Sequence, residues 1–323
     1  MLRIAVVGAT GLVGDTMLRV LEERVAPKIP IELFPMATRR SAGKSITFFG
    51  REYRVLDVEE GIPEVDFALF SAGSHAARAY APVFVSKGAV VIDNSSAYRM
   101  DERVPLVVPQ VNPQDAHEHQ GIIANPNCST IQMVIFLKPL LDAFGIEEVN
   151  VVTFQAVSGA GYRGIFALEA EEDGGFYDHT PFAKRIHRNV IPQIGDFREG
   201  YSTEEWKMIN ETRKILHADI PVNPTAVRVP VKVGHSEAVH VLLDSAPPIE
   251  DVYKVLRDFP GLILLGEDYI TPMDVEGRDE VFVGRLRFHP DNPRLLSAWV
   301  VADNLRRGAA TNAVEILQLL SGV

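Results

Sequence analysis

One thiol stands in this chain, Cys128, in the run NPNCST at residues 125–130. A solitary cysteine is often only a small buried hydrophobe, but its surroundings here favour chemistry. The Asn-Pro-Asn turn gives way to a helical pattern through Ile131, Val134, Ile135 and Leu137, so Cys128 falls at a helix start. Unsatisfied N–H groups and the helix dipole at such a position stabilise a thiolate and make it nucleophilic near neutrality.

A second candidate lies at the N-terminus. GATGLVG places Gly8, Gly11 and Gly14 between a short apolar run, Leu2 to Val7, and a helical pattern from Gly11 to about Arg24. Its G-x-x-G-x-x-G spacing departs from the usual G-x-G-x-x-G, yet a buried strand, a glycine turn and a helix follow in order. Backbone N–H groups at that corner suit a pyrophosphate, so the loop reads as a dinucleotide site. The next apolar run, Ile31 to Ala37, ends in TRRSAGK. NAD sites place an acid there for the ribose 2'-hydroxyl, whereas Thr38, Arg39, Arg40, Ser41 and Lys44 suit a 2'-phosphate, which points to NADP. A thiol beside a nicotinamide cofactor suggests aldehyde chemistry through a thioester, with a general acid/base and cations for a charged substrate.

The elements that must position these groups follow from periodicity. Strand-like runs at 65–73 and 89–95 flank a helical pattern from Ser74 to Lys87, giving alternating strands and helices and a parallel, doubly wound Rossmann-like sheet. Beyond residue 128 a helix is expected from Cys128 to Phe144. Longer runs follow: EVNVVTFQAVSG, AVRVPVKVG, AVHVLLDSA, VFVGRLRFH and LLSAWVVAD. Few helices separate the later ones, so the second domain is expected to be α+β with a mixed, largely antiparallel sheet. A last helical pattern, about Leu305 to Leu320, is expected to return to the first domain. The expected domains are 1–127 with 304–323 for NADP binding, and 128–303 for catalysis and dimerisation.

Composition sets bounds. The chain has 323 residues, 46% apolar and 23% charged, long enough for two cores. Its 32 basic and 43 acidic side chains leave a formal charge of -11, which disfavours nucleic acid and anionic membranes as partners. One cysteine excludes a disulfide framework and a multi-thiolate metal site, and no metal is expected. The N-terminal MLRIAVVGATG lacks the features of a signal peptide and no apolar run approaches membrane length, so a cytoplasmic enzyme is expected.

Five motifs in order, GATGLVG, NPNCST, FQAVSGAG, VRVPVKVGHSE and DNLRRGAATNAVE, span nearly the whole chain and resemble the aspartate-semialdehyde dehydrogenases. The resemblance implies NADPH-dependent reductive dephosphorylation of L-aspartyl 4-phosphate to L-aspartate 4-semialdehyde, feeding lysine, methionine and threonine biosynthesis. It makes Cys128 the nucleophile and His235 the acid/base. Arg228 matches the residue that grips the substrate carboxylate, and Gln155 the one that orients substrate and thioester. Asn127 lies beside the nucleophile. Arg99 and Lys207 match a phosphate-binding pair, and Glu204 or Glu205 meets the substrate ammonium. For the cofactor the resemblance points to Gly8, Thr10, Gly11, Leu12, Val13, Arg40, Ser41, Ser71, Ala72, Gly73, Ser158, Gly159 and Asn304. It further implies a homodimer or a dimer of dimers, with small-molecule substrates and phosphate as partners.

Local pattern alone does not single out Lys207, which reads equally as a helix-surface lysine, or Gln155, which reads equally as a strand hydrogen-bonder. Rival readings are an N-acetylglutamyl-phosphate reductase, a malonyl-CoA reductase, and a non-catalytic dinucleotide-binding relative. The first usually has Gly before its cysteine and Tyr soon after, where Asn127 and Ser129 stand here. The last would be expected to lose the cysteine or the histidine, and both are present.

Overall fold

The computed structural model describes all 323 residues, Met1–Val323. It divides into two compact units, Met1–Pro126 with Ala309–Val323, and Asn127–Gly308. The chain passes from one unit to the other after Pro126 and again after Gly308. Arg306–Ala310 form a π-helical turn whose Gly308 packs on Cys128, and the division between the units falls within this turn.

In the first unit the chain runs β1 (Leu2–Val7), α1 (Leu12–Arg24), β2 (Ile31–Ala37), a hairpin of β3 (Ser45–Phe48) and β4 (Arg51–Arg54), β5 (Leu56–Asp57), β6 (Phe67–Phe70), α2 (Gly73–Ser86), β7 (Val90–Asp93) and β8 (Ile122–Ala124). Six strands form one sheet in the order β5-β2-β1-β6-β7-β8, every pair parallel. Side chains alternate between its faces. Ile4 and Val6 pack with Met17 and Leu21 of α1 and with Val314 and Leu317 of the C-terminal helix Thr311–Ser321. Ala5 and Val7 pack with Ala77, Ala81 and Phe84 of α2 on the other face. Both faces are therefore apolar, which explains why these strands read as unbroken apolar runs. The order reverses at β1, so the ligand crevice of such a sheet lies at the carboxyl ends of β1 and β6.

The second unit contains α3 (Cys128–Phe144), β9 (Ile146–Gln155), α4 (Tyr162–Glu172), β10 (Phe197–Arg198), β11 (Tyr201–Ser202), α5 (Thr203–Leu216), β12 (Val222–Arg228), β13 (His235–Leu243), α6 (Ile249–Arg257), β14 (Leu262–Leu264), α7 (Pro272–Val275), β15 (Val281–His289) and β16 (Asn292–Ala302). Its sheet has the order β12-β9-β13-β16-β15-β14. The β12–β9 and β14–β15 pairs are parallel and the three central pairs antiparallel, a mixed and mostly antiparallel sheet. Helix α3 packs against β9, β13 and β16 and is buried from Ser129 to Leu137. Beneath it lie alternate residues of the sheet: Val149, Val151, Thr153 and Gln155 on β9, and His235, Glu237, Val239 and Val241 on β13. This face is apolar at one end and polar at the other, where β9, β12 and β13 deliver Gln155, Arg228 and His235.

Two elements are shorter than expected. The run AVRVPVKVG is a strand only to Arg228, because Pro230 offers no N–H to a ladder and the chain turns through Gly234 at φ 93°. The last helix begins at Thr311, not Leu305, after the π turn. No helix is long and apolar enough to cross a membrane.

Glu237 is fully buried in this interior. Burial pushes its carboxyl well above the ordinary range, opposed only in part by Gln132. The unfolded chain ionises this group at an ordinary pH and the folded chain only well above it. Native protein thus binds more protons in that window and loses stability as pH rises through it. Glu237→Gln, which cannot ionise, is expected to unfold at a higher temperature than the native protein at pH 8 and at a similar one near pH 4. Thermal melts across that range check this, and an unchanged pH dependence would contradict it.

Candidate active site

Helix α3 begins at Cys128, and Asn127 caps it. The Asn127 side-chain oxygen accepts the N–H groups of Ser129 at 3.1 Å and Thr130 at 3.3 Å. An Asn cap of this kind stabilises a helix end by about 1 kcal/mol. The cap holds the first turn while Cys128, half-buried, starts it.

The other face of Asn127 is held by α5. Its side-chain amide donates to Glu204 Oε1 at 2.8 Å, and the Gln155 amide donates to the same oxygen at 3.0 Å. Lys207 Nζ donates to Glu204 Oε2 at 2.9 Å. Burial by itself would raise the Glu204 carboxyl, but the Lys207 charge and the hydrogen bonds from Lys207, Gln155 and Asn127 outweigh it and hold the pKa at about 2. The cluster therefore contains a fixed anion. Glu205, next along the helix, is spent elsewhere: it forms a capping box with Ser202 and accepts the Ala226 N–H at 2.9 Å. Of the two acids left open by the sequence, only Glu204 faces Gln155 and Asn127. The Ser202-x-x-Glu205 spacing is a capping-box signature and could have separated them.

Strand register brings the remaining groups together. Gln155 ends β9 and pairs with Arg228 at the end of β12, while His235 opens β13 beside them. Arg228 is 6% exposed, and its guanidinium donates to the Ala156 carbonyl at 2.6 Å and lies over the Phe182 ring. Burial lowers its pKa, while the charges of Glu204 and Cys128 raise it, so the cation is coupled to both. His235 is fully buried, and burial, aided by the Arg228 charge, pushes its pKa down to about 3. Its Nδ1 accepts the Ala156 N–H at 3.0 Å, which assigns the proton of the neutral ring to Nε2. Nε2 meets no protein partner. At Gly159 a Cβ would lie 3.4 Å from Nε2 and 2.8 Å from an Arg228 nitrogen, so this glycine brings the chain close to both groups. A hydrogen-bond donor and a guanidinium thus converge beside Gly159.

Ser158 and Asn304 hydrogen bond to each other, and Asn304 also accepts the Gly234 N–H at 2.9 Å. This ties the loop after β9 to the turn before His235. Gly308 is a residue that sequence reasoning missed. A Cβ on it would sit 2.8 Å from the Cys128 Cβ, so only glycine allows this approach. The available signal was an isolated Gly inside an otherwise helical pattern.

In the first unit, Gly8 ends β1 at φ 94°, where a Cβ would strike Ser71 and Ala72 at 2.8 to 2.9 Å. Gly14 packs so closely that a Cβ would lie 2.2 Å from the Gly8 carbonyl. Helix α1 opens at Leu12 and Val13 after Thr10, on Gly11, with no side-chain cap. Gly73 opens α2 at φ 84° directly after Ser71 and Ala72. This glycine-lined cradle with an uncapped helix end fits a pyrophosphate. Arg39 and Arg40 are exposed and Ser41 half-buried just beyond β2, which fits a 2'-phosphate. Arg99 is buried, its guanidinium donating to the Asn125 carbonyl at 2.9 Å and the Asn94 carbonyl at 2.8 Å, which fixes its plane.

Known proteins share this architecture. Residues 3–119 match the family model for the semialdehyde dehydrogenase NAD binding domain, and residues 137–307 the model for the semialdehyde dehydrogenase dimerisation domain. Aspartate-semialdehyde dehydrogenase of Aquifex aeolicus is 49% identical over 98% of this chain and 97% of its own length. A crystal structure of aspartate semialdehyde dehydrogenase II from Vibrio cholerae, complexed with ASA, superposes with a TM-score of 0.95 at 46% identity, covering 100% of this chain and 98% of that one. A crystal structure of the Candida albicans enzyme with NADP has a TM-score of 0.78 at 26% identity, over 99% and 98% of the two chains. The parallel and mixed sheets agree with the expected fold class, and the chain belongs to the aspartate-semialdehyde dehydrogenase family.

Proposed function

We propose that the protein reduces L-aspartyl 4-phosphate to L-aspartate 4-semialdehyde with NADPH, releasing phosphate, through a thioester on Cys128. The pathway served is that to lysine, methionine and threonine. The observation that carries the reading is the meeting of a helix-initial thiol, a buried ionised Glu204 and the Arg228 guanidinium at one polar strand end. The relatives' shared name and the ASA complex of the Vibrio cholerae enzyme support the substrate.

In acylation the Cys128 sulfur attacks the acyl carbon, a C–S bond forms, the C–O bond to phosphorus breaks, and the thiol proton departs with phosphate. NADP, when bound, exchanges a hydride with the acyl carbon. The C–S bond then breaks, the aldehyde leaves, and sulfur regains a proton, so the overall reduction consumes one proton. The bidentate Arg228 fork suits the α-carboxylate, and Glu204 suits the ammonium group. Lys207 and Arg99 serve the phosphate, and Gln155 orients the acyl group. His235, the acid/base by resemblance, is neutral at rest and donates from Nε2 to the acyl oxygen as charge develops on it. The glycine cradle from Gly8 to Val13, with Ser71 to Gly73, would hold the dinucleotide, and Arg40 with Ser41 the 2'-phosphate; Ser158, Gly159 and Asn304 are assigned to the cofactor by the family resemblance alone. The single thiol suits a reducing cytoplasm. The matched dimerisation domain supports a homodimer, and a dimer of dimers would need a second, separate interface.

Two outcomes follow. Phosphate-dependent reduction of NADP by aspartate semialdehyde is expected to fall by roughly a thousandfold or more in Cys128→Ala with the fold intact. Retained activity, or a requirement for coenzyme A in place of phosphate, would contradict the reading. Because His235 titrates at about 3, it contributes no limb to the kcat/KM profile between pH 5 and 8. His235→Gln is expected to lower the rate without moving the remaining midpoints, and a limb near pH 6.5 that this substitution abolishes would show that the ring ionises during turnover.

A further inference from the structure

Glu211 has no place in the roles given above, yet it reaches the same residue as Glu204. Glu204, Lys207 and Glu211 follow one another on α5 at intervals of three and four residues, which aligns them on one helix face. Glu211 lies two turns beyond Glu204, about 10 Å along the axis. From there its carboxyl oxygen accepts the backbone N–H of Asn127 at 2.7 Å, while Glu204 holds the Asn127 side chain at 2.8 Å. Glu211 is 1% exposed, so this is an interior contact that water does not replace.

Every polar group of Asn127 is then committed. Its N–H goes to Glu211, its side-chain amide to Glu204, its side-chain oxygen to Ser129 and Thr130, and its carbonyl to the Ile131 N–H at 2.9 Å. The peptide plane entering Asn127 and the first helical turn leaving it are both pinned, and Cys128 is the next residue. A bond vector that leaves a doubly pinned junction has little freedom, and misplacing a reacting atom by about 1 Å can cost on the order of a hundredfold in rate.

We infer that Glu211 is a positioning residue for the nucleophile: by holding the Asn127 amide it sets the direction in which the Cys128 side chain leaves the start of α3. The inference rests on the reading of Cys128 as the nucleophile. What matters in it is the reach of an acceptor oxygen and not the carboxyl charge, which gives two variants opposite fates. Glu211→Asp keeps the carboxyl group but withdraws it by one methylene, whereas Glu211→Gln keeps an acceptor oxygen at full reach.

The experiment measures kcat and KM for aspartate semialdehyde per folded chain in the purified full-length protein, the folded fraction read from near-UV circular dichroism, with the alkylated native protein as control. Glu211→Asp is expected to lose at least about tenfold in kcat with KM within about threefold, and Glu211→Gln to keep kcat within about threefold of native. Counting per folded chain removes unfolded protein from the comparison, so a role confined to global stability would leave both values unchanged. A native-like Glu211→Asp, or a Glu211→Gln as impaired as Glu211→Asp, would overturn the inference. Activity surviving alkylation in the control would instead overturn the nucleophile reading, so the two failures are distinguishable.

Discussion

The buried carboxylate of Glu204 is the constraint around which the second unit is organised. An anion removed from water is costly unless charge and hydrogen bonds replace its hydration. Here three donors from three elements supply that replacement: Asn127 before α3, Gln155 at the end of β9, and Lys207 one turn along α5. Those donors are thereby fixed in position by the anion they satisfy. The cap before Cys128, the strand end beside Arg228 and Lys207 share one point of attachment.

A second tier of contacts orients the reacting groups. Ala156 uses both of its backbone groups, donating its N–H to His235 and offering its carbonyl to Arg228, so one peptide unit sets the histidine tautomer and anchors the guanidinium. Glycines complete the geometry by absence of side chain. Gly159 lets the chain pass close to the arginine and the histidine, and Gly308 lets the π turn approach Cys128. Neither effect is an attraction; each is a steric permission that any Cβ would withdraw.

Much of the fold was legible in the sequence because burial writes it there. Strands of the first sheet are covered on both faces and read as continuous apolar runs, and the helix from Cys128 to Phe144 showed its full extent. Less legible were elements set by distant contacts. The last helix starts at Thr311 because Gly308 must meet Cys128, and the hairpin of β3 and β4 gave no strong alternation. In the site, residue types and motif order led to Cys128, Gln155, Arg228 and His235, which the structure gathers at adjacent strand ends and one helix start. The sequence left Glu204 and Glu205 equivalent, and only the capping box separates them. Protonation was also hidden: the tautomer of His235 depends on a backbone N–H seventy-nine residues away.

The central claim is that Cys128 carries the acyl group, and trapping that group tests it most directly. Mixing the protein with NADP and aspartate semialdehyde in the absence of phosphate allows oxidation but withholds the acceptor. Peptide mass spectrometry is then expected to find one aspartyl group per chain, on the peptide containing Cys128, and to see it disappear when phosphate is added. An aspartyl group on any other residue, or none while NADP is reduced, would contradict the account.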